Sequence, residues 1–373
     1  MSTSGRGVPE AALGVGIVGL SASGGWAGRA HVPAIRAVDG IELRALAASS
    51  PESAARAADE FGVPAAADAR RLAERDDVDL VLVSVKVPDH HELVSAVLGA
   101  GKAVLCEWPL GNGLAEAEDL AGRAEAAGVR TFVGLQARSA PVIRHLRDLV
   151  ADGYVGEILS TSMIGSGDGW GGTCTSRSAY VLDRANGATL LTIPFGHAVD
   201  GLTFVLGEFV DVSATTALRR ATARNTDTGE LVPVTAEDQV AVTGTLTSDA
   251  VASVHLRGGT SPGTNLLWQI DGTEGTLVVT GRTGQIQFGA MTVRGARGSA
   301  PLEELPLPRR YERVPALQGR PAEPVTTMAH AYHAILTDLA IGTTSVPDFA
   351  HAVRRHRFLD VVAAGGMPVP AGA

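Results

Sequence analysis

Short apolar runs alternate with Ala-rich segments of helical period along roughly the first 135 residues of the chain. Five of the runs have the length of buried strands, and three of the four helical segments between them end in glycine, as helix C-termini often do. Nearly continuous apolar strands linked by helices are typical of a parallel sheet covered on both faces. We therefore predict a doubly wound sheet with strands at 15–20, 42–49, 78–85, 103–108 and 130–135.

The pattern changes near residue 136, where one helical segment is followed by longer strands of alternating polarity. Alternation predicts an antiparallel sheet with one face covered by helices and one left open, and such open faces commonly form oligomers. A Pro- and Arg-rich excursion and two closing helices complete the chain. The predicted strands are 239–247, 250–258, 266–281 and 284–289, the excursion is 300–325, and the helices are 326–342 and 348–366.

The two patterns divide the chain into an α/β domain at 1–135 and an α+β domain at 136–373, with the final helices free to pack back on the first domain. A length of 373 residues also favours two domains, since single cores rarely grow beyond about 250–300 residues. The predicted fold class is a doubly wound parallel sheet followed by a largely antiparallel, open-faced sheet.

The composition excludes several classes of function. No apolar stretch approaches the roughly 20 residues that span a bilayer, and the first residues lack the apolar core of a secretion signal, so we expect a cytoplasmic protein. A net charge of −9 without a basic run disfavours nucleic-acid binding. The two cysteines, Cys106 and Cys174, fit a reducing compartment. The His pairs of the closing helices lack the acidic or Cys partners of a metal site.

A glycine-rich turn, "GLSASGGWAGRAH", follows the first predicted strand and opens a helix. Small residues at this place let backbone amides approach a pyrophosphate, so we predict a dinucleotide site of Rossmann type. The spacing differs from GxGxxG, and a plain tight turn is the alternative. The candidate residues are Gly19, Ser21, Gly24, Gly25 and Trp26.

The second predicted strand ends at Ser49 and Ser50, without an acidic residue to bind a ribose 2′-hydroxyl. Two hydroxyls and the downstream Arg56 suit a 2′-phosphate, which favours NADP over NAD without deciding between them. Ser50 before Pro51 also has the pattern of an ordinary helix N-cap.

The stretch "VSVKVPDHHELVSAVLGAGKAVLCEWPLG" resembles the glucose-fructose oxidoreductase, inositol dehydrogenase and rhizopine-catabolism family (Gfo/Idh/MocA). The matching motifs are a Pro-x-x-His, here Pro88 to His91, an Ala-Gly-Lys, and a Glu-Lys-Pro at a strand end, here Glu107, Trp108 and Pro109. In the family the lysine reaches nicotinamide and substrate, and the proline is often cis. The resemblance implies that these residues line the cofactor site, with Glu107 near ribose and an indole in place of the usual charge.

A second family signature, Asp-x-x-x-His on a helix, is matched loosely by "NGATLLTIPFGHAVDGLTFVLG". Thr192 falls near the aspartate, His197 near the histidine, and Asp200 lies one helical turn later. With Trp108, this departure resembles the branch that contains the fungal galactose-pathway repressor, in which a dinucleotide-binding fold serves regulation.

Hydride transfer also needs a group that exchanges a proton with the alcohol or carbonyl. His197 is one candidate because an imidazole titrates near neutrality, with Asp200 to orient it. Lys86, at the end of a predicted strand, is the second, and Tyr180 is a further donor. The alternatives are a Lys86 that bonds only cofactor, a packed His197, and structural roles for Tyr180 and Asp200.

The segment 165–177, "GSGDGWGGTCTSR", carries three candidate substrate residues, Asp168, Trp170 and Arg177, although a lid or a plain loop explains it equally well. We predict an NAD(P)-dependent oxidoreductase for a sugar, polyol or related metabolite, with a small sugar-like substrate as partner. We further expect a homodimer or homotetramer through the open sheet face. The alternatives are a non-catalytic dinucleotide sensor and a redox-neutral, NAD-dependent lyase or glycosidase.

Overall fold

The computed structural model describes residues 12–320, 323–366 and 369; the N-terminal residues from which the absence of a leader is predicted lie outside the described residues. The first domain contains a five-stranded parallel sheet in the order β2-β1-β3-β4-β5. Its central strands are buried from end to end, because helices cover both faces. The strands are β1 (Leu13–Val18), β2 (Ile41–Ala47), β3 (Leu80–Val83), β4 (Ala103–Cys106) and β5 (Thr131–Val133).

Five helices connect and follow these strands. Ser50 caps α2 by accepting a hydrogen bond from the Ser53 amide, and Gly62 ends that helix in the left-handed conformation. The helices are α1 (Val32–Ala37), α2 (Pro51–Phe61), α3 (Ala69–Ala73), α4 (His90–Gly99) and α5 (Leu114–Ala127). The predicted doubly wound fold of the first domain is confirmed.

The second domain opens with α6 (Pro141–Ala151) and contains an eight-stranded, mostly antiparallel sheet in the order β16-β15-β14-β13-β6-β12-β11-β8. Only the neighbours β6 and β12 run parallel in it. A small sheet of order β10-β9-β7 lies beside it. The strands are β6 (Ile158–Gly167), β7 (Thr173–Cys174), β8 (Phe209–Ala217), β9 (Thr222–Asn225), β10 (Leu231–Pro233), β11 (Gln239–Leu246), β12 (Val251–Gly258), β13 (Leu266–Gly272), β14 (Gly275–Gly281), β15 (Met291–Arg297) and β16 (Glu303–Glu304).

Two of the predicted strands differ from the observed ones. The segment 266–281 is a hairpin of β13 and β14 instead of a single strand, because the chain reverses at Thr273 and Glu274. The predicted strand 284–289 is a short helical turn, Ile286–Phe288, which ends at Gly289 with a left-handed φ of 81°.

One helix, α7 (Gly196–Leu206), packs in the interior and is buried at every position except Phe204. The other face of the large sheet is open, and Ile164 and Val251 are exposed there. The closing helices α8 (Pro324–Ile341) and α9 (Phe349–Ala363) return to the first domain, where α8 packs on α1 and α9 on α5. Among the helices of the described residues, we find none with the length and apolar character needed to cross a membrane.

Candidate functional site

The glycine-rich loop lies at the carboxyl end of β1, as the sequence predicts. Three of its glycines have positive φ angles, of 93° at Gly19, 88° at Gly24 and 136° at Gly25. A Cβ at Gly19 would collide with the Ser84 carbonyl oxygen, so this position requires glycine on two grounds. Ser21 bonds within the loop, its Oγ lying 2.9 Å from that of Ser23. Small residues at these positions would let the backbone of the loop approach an anionic ligand closely.

Trp26 begins the helical stretch after this loop, where a wide turn (Ala27–His31) leads into α1. Its ring packs against Phe288 of the second domain, with ring centres 5.8 Å apart. Its indole nitrogen is buried without a hydrogen-bond partner among the described residues. The loop therefore meets the second domain directly.

Arg177 is predicted to bind substrate, but the structure places it against the glycine-rich loop. Its Nη2 donates to the Gly24 carbonyl oxygen at 2.7 Å and its Nη1 to the Ser23 carbonyl oxygen at 3.2 Å. Arg177 is exposed and comes from the second domain, so it joins the two domains above the loop. A guanidinium at this point suits the phosphates of a dinucleotide.

Glu107, at the end of β4, belongs to a hydrogen-bonded chain that the sequence analysis missed. Its Oε1 lies 3.1 Å from His31 Nε2, and His31 Nδ1 lies 2.8 Å from the Tyr332 hydroxyl. Both contacts are satisfied when His31 donates to the carboxylate and accepts from the tyrosine. Burial, reinforced by Glu107, raises the pKa of Tyr332 well above its usual value, so this hydroxyl keeps its proton. The available signal was a histidine one turn into the helix after the glycine-rich loop.

The Trp108–Pro109 bond is cis, as the resemblance implies. His90, the first residue of α4, holds this turn: its Nδ1 lies 2.8 Å from the Pro109 carbonyl oxygen and its Nε2 3.3 Å from that of Val85. Burial lowers the pKa of His90, so the ring is neutral and donates through one nitrogen. A neutral ring can donate to only one of these two carbonyl oxygens, and the shorter distance assigns the hydrogen bond to Pro109.

Trp108 is docked onto the second domain and is only 4% exposed. Its indole nitrogen donates to the Thr192 carbonyl oxygen at 2.7 Å, and its ring lies 4.8 Å from the ring of His356. Gly196 makes room for it, since a Cβ there would lie 2.7 Å from the indole nitrogen. The Thr192 hydroxyl donates to the Gly187 carbonyl oxygen at 2.7 Å. Where the family places a lysine and an aspartate, this chain thus has an indole paired with a backbone carbonyl.

His197 is the second residue of α7 and is 4% exposed. Its Nδ1 is buried and has no hydrogen-bond partner within the described part of the chain. Burial lowers the pKa of His197 to about 4, against the opposing charges of Glu107 and Asp200. The expectation that this imidazole titrates near neutrality is therefore wrong, and the ring is neutral at pH 7.

The prediction that Asp200 orients His197 is also wrong. The Asp200 carboxylate accepts two hydrogen bonds from Arg138, at 2.7 and 2.9 Å, and lies 2.6 Å from His351 Nε2. Arg355 lies 3.4 Å away on the same side. Burial acts to raise the pKa of Asp200, but the charges of Arg138 and His351 outweigh it and hold that pKa well below its usual range. Asp200 is the centre of a buried ion cluster and has a structural role.

Lys86 and Tyr180 lie together at the carboxyl end of β3. The Lys86 ammonium is 5.1 Å from the centre of the Tyr180 ring, which is a cation–π arrangement. Lys86 is exposed, and burial raises the pKa of Tyr180. This pair brings a cation and a phenol to the sheet edge that carries the glycine-rich loop.

Two further candidates on the first domain have local partners. His91 is bonded through Nε2 to Asp119 of α5 at 2.7 Å, so its predicted cofactor contact is not supported. The Ser50 hydroxyl is engaged in capping α2, whereas Ser49 is exposed at the end of β2. Pro88 lies exposed in the short turn that precedes α4.

The predicted substrate residues Asp168 and Trp170 have separate hydrogen-bond partners. Trp170 is 9% exposed and its indole nitrogen donates to the Ala188 carbonyl oxygen at 2.9 Å, which identifies it as a packing residue. Asp168 is exposed and accepts a hydrogen bond from the Thr283 hydroxyl at 2.8 Å. Neither residue contacts Arg177 through a hydrogen bond in the described residues.

The residues present suit a dinucleotide at this edge. The glycine-rich loop offers backbone space for phosphates, Glu107 offers a carboxylate to ribose hydroxyls, and His197 keeps an unpaired nitrogen nearby. No group of three or more His, Cys, Asp or Glu residues in the described ranges is arranged to hold a metal ion.

Comparison with known proteins agrees with this reading of both domains. Residues 13–135 match the model of the oxidoreductase family with an NAD-binding Rossmann fold, Gfo/Idh/MocA. Residues 141–281 match the model of a domain like the C-terminal domain of Gal80p.

Two curated relatives differ in kind. The dehydrogenase aclE of Aspergillus oryzae is 39% identical over 180 residues, which cover 48% of this chain and 49% of that protein. The chain thus spans about half the length of this relative. The galactose/lactose metabolism regulatory protein GAL80 of Saccharomyces cerevisiae is 30% identical over 299 residues, covering 74% of this chain and 69% of that protein.

Solved structures share the fold over nearly the whole chain. A super-repressor mutant of Gal80p from Saccharomyces cerevisiae superimposes with a TM-score of 0.87 at 24% identity, over 97% of this chain and 99% of that one. A levoglucosan dehydrogenase in complex with NADH and levoglucosan superimposes with a TM-score of 0.83 at 22% identity, over 96% of this chain and 99% of that one.

Proposed function

Because the chain belongs to the Gfo/Idh/MocA oxidoreductase family, we propose that it transfers hydride between NAD(P) and a sugar, polyol or related hydroxylated metabolite. The substrate class is supported by a fold neighbour whose structure holds NADH and levoglucosan. The observation that carries the proposal is one sheet edge that combines a glycine-rich loop, the Glu107 carboxylate and a buried histidine with an unpaired nitrogen.

Each group at this edge has a distinct task in the proposal. The amides of the loop, with Arg177, bind the pyrophosphate. Glu107, held by His31, accepts hydrogen bonds from ribose hydroxyls. When bound, nicotinamide supplies the hydride acceptor or donor at its C4. Ser49 and Arg56 favour a 2′-phosphate, and with it NADP, while Ser50 is committed to its helix cap.

The proton is handled by His197 or Lys86. His197 presents an unpaired nitrogen as an acceptor for a substrate hydroxyl proton, which is the role that oxidation of an alcohol requires. Lys86 supplies a proton donor from the exposed side, and Tyr180 beneath its ammonium fixes its place. Trp108 takes no part in the proton transfer, since its single N–H is already donated to Thr192.

The test begins with mass spectrometry of the purified protein, to identify retained nucleotide and its redox state. Absorbance at the nicotinamide band then follows turnover with a panel of sugars and polyols. We expect turnover with at least one member and its loss in His197→Ala or Lys86→Ala. The oxidoreductase proposal fails if no candidate substrate changes the redox state of the cofactor. It also fails as written if turnover occurs but neither variant alters it.

A second candidate function is a dinucleotide sensor that acts by binding another protein. The specific observation is that Trp108 and Thr192 stand at the positions of the catalytic family pair and bond to each other. The similarity to a regulatory protein over 69% of its length agrees with it. Partner capture that requires nucleotide, without any turnover of that nucleotide, would favour this candidate over the enzyme.

We also propose that the open face of the large sheet joins two copies of the chain. The face presents exposed apolar side chains on neighbouring strands, Ile164 at 40% and Val251 at 61% exposure. Light scattering after gel filtration should give the mass of a dimer or tetramer, and Ile164→Lys with Val251→Lys should give a monomer. A monomeric wild-type protein would contradict this.

A further inference from the structure

A pocket of about 440 Å³ lies at the opposite end of α7 from His197. It opens between α6, the end of α7 and the segment that leads into α9. About 9 Å of helix axis separates His197 from Thr203 in its wall. The lining residues are Arg138, Arg144, Arg147, Thr203, Phe204, Glu208, Thr344, Ser345, His351 and Arg354.

The lining is strongly cationic, although the whole chain carries a net charge of −9. Four arginines face a single carboxylate, that of Glu208, and this carboxylate already accepts a hydrogen bond from Arg355 at 2.8 Å. The charge of Arg138 is balanced by the buried carboxylate of Asp200, which accepts a hydrogen bond from it. Within the described ranges, no ion pair engages the other three lining arginines, Arg144, Arg147 and Arg354.

Three of the four lining arginines also contact an aromatic or imidazole ring that holds them in position. The guanidinium of Arg147 lies 4.4 Å from the centre of the Phe204 ring and that of Arg138 lies 5.0 Å from it. Arg354 Nη2 lies 3.0 Å from His351 Nδ1. Guanidinium groups fixed in this way lose little rotamer freedom when they bind a planar or tetrahedral anion.

Arg144 shows that the charge excess is costly. Its Nε is buried and has no hydrogen-bond acceptor among the described residues. Burial, with the neighbouring charges of Arg313 and Arg147, lowers the pKa of Arg144 to about 10. An anion in the pocket would supply both the missing acceptor and the missing charge.

We propose that this arginine pocket binds a small molecule with two or more anionic groups, of the phosphate or carboxylate class. The volume matches a ligand of metabolite size, and the Thr344 and Ser345 hydroxyls offer further hydrogen bonds. The site is separate from the cofactor edge, because buried α7 lies between them. It therefore requires neither the proposed redox activity nor a bound nucleotide.

Isothermal titration of the full chain with pyrophosphate and with citrate, at ionic strength fixed by chloride, tests the proposal. We expect saturable binding of at least one anion, about tenfold or more weaker in Arg147→Gln and in Arg144→Gln. Pyrophosphate alone would identify a phosphate ligand, and citrate alone a carboxylate ligand. Arg147 is exposed, so its variant leaves the fold intact.

Two control variants locate the binding. Arg219→Gln removes an exposed arginine elsewhere in the second domain, and Arg177→Gln removes the one at the glycine-rich loop. Arg219→Gln should bind the anion as the wild type does, whereas a loss confined to Arg177→Gln would assign the binding to the glycine-rich loop. The proposal is overturned if neither anion binds saturably, or if Arg177→Gln loses the binding that Arg147→Gln retains.

Discussion

His197 and Asp200 lie three residues apart on α7, and both are buried, yet their surroundings are opposite. His197 keeps a buried nitrogen without a hydrogen-bond partner among the described residues, whereas Asp200 is bonded to Arg138 and His351 and lies beside Arg355. Helical spacing places two residues on one face but does not determine their partners. Here the partners of Asp200 come from elements that lie far away along the chain.

The largest effect should come from Asp200→Asn. The variant leaves Arg138 and the buried Arg355 without their shared carboxylate, and breaking a buried ion pair from one side costs about 3–5 kcal/mol. Urea unfolding at neutral pH should show a loss of this size in the free energy of unfolding.

Asp119→Asn is the matched control, since Asp119 also bonds an arginine and a histidine but is 45% exposed. We expect a loss below about 1 kcal/mol there. Equal losses in the two variants would show that the Asp200 cluster is no more important to stability than a surface network.

Acid should lower the free energy of unfolding through protonation of His197. Native His197 takes a proton near pH 4, whereas an unfolded histidine takes it near 6.5, so the unfolded state binds more protons between these values. Stability is complete above the unfolded pKa and falls as the pH drops towards the native one. The loss in the free energy of unfolding that His197 alone causes between about pH 7 and pH 5 is roughly 2 kcal/mol.

His197→Asn should remove that loss, and its unfolding free energy should therefore vary less with pH than that of the wild type. The control is His255→Asn, at an exposed position on β12. Unfolding in urea near pH 7 and near pH 5 gives both slopes. An unchanged slope in His197→Asn would mean that this imidazole is solvated or paired in the native protein.

Two buried tryptophans allow a second comparison, between a residue of the candidate cofactor site, Trp108, and a packing residue, Trp170. Each indole donates one hydrogen bond to a backbone carbonyl, Trp108 to Thr192 and Trp170 to Ala188. Replacement by Phe should cost about 1 kcal/mol of stability in either case. Only Trp108→Phe should also change nucleotide affinity in a titration, because only Trp108 ends a strand of the first sheet. Equal affinity in both variants would place Trp108 outside the site.

The smallest change in stability should come from Arg177→Gln. Arg177 is exposed, so the free energy of unfolding should change by less than about 1 kcal/mol. Nucleotide binding should nevertheless weaken, because the variant loses a cation and the two bonds that hold the loop carbonyls. Arg219→Gln should leave the affinity unchanged, and a matching loss there would reveal a general charge effect.

The first domain could be predicted well because its central strands are buried on both faces, α2 and α3 begin at side-chain caps, and α2 and α5 end at a left-handed glycine. Ser50 and Gly62 mark the ends of α2 in the sequence as they do in the structure. The second sheet was harder. The run 266–281 was predicted as one strand, although its middle, Asp271 to Gly275, has the polar and glycine composition of the turn that joins β13 and β14.

The site could be predicted only where one segment carries its own chemistry. The loop glycines and the Glu107 turn were found in this way. The contacts of His31 with Glu107 and Tyr332, of Trp108 with Thr192, and of Arg177 with the loop could not be found, because each joins segments at least 76 residues apart along the chain. Pairing at such separations is set by the packing of the domains.

The central claim is that a pyridine nucleotide binds at the carboxyl edge of the first sheet. Calorimetric titration of the purified chain, freed of retained nucleotide, with the oxidised and reduced forms of NAD and NADP tests it most directly. The account predicts saturable heat with one nucleotide per chain for at least one form, reduced in Arg177→Gln. No heat from any of the four forms would contradict it.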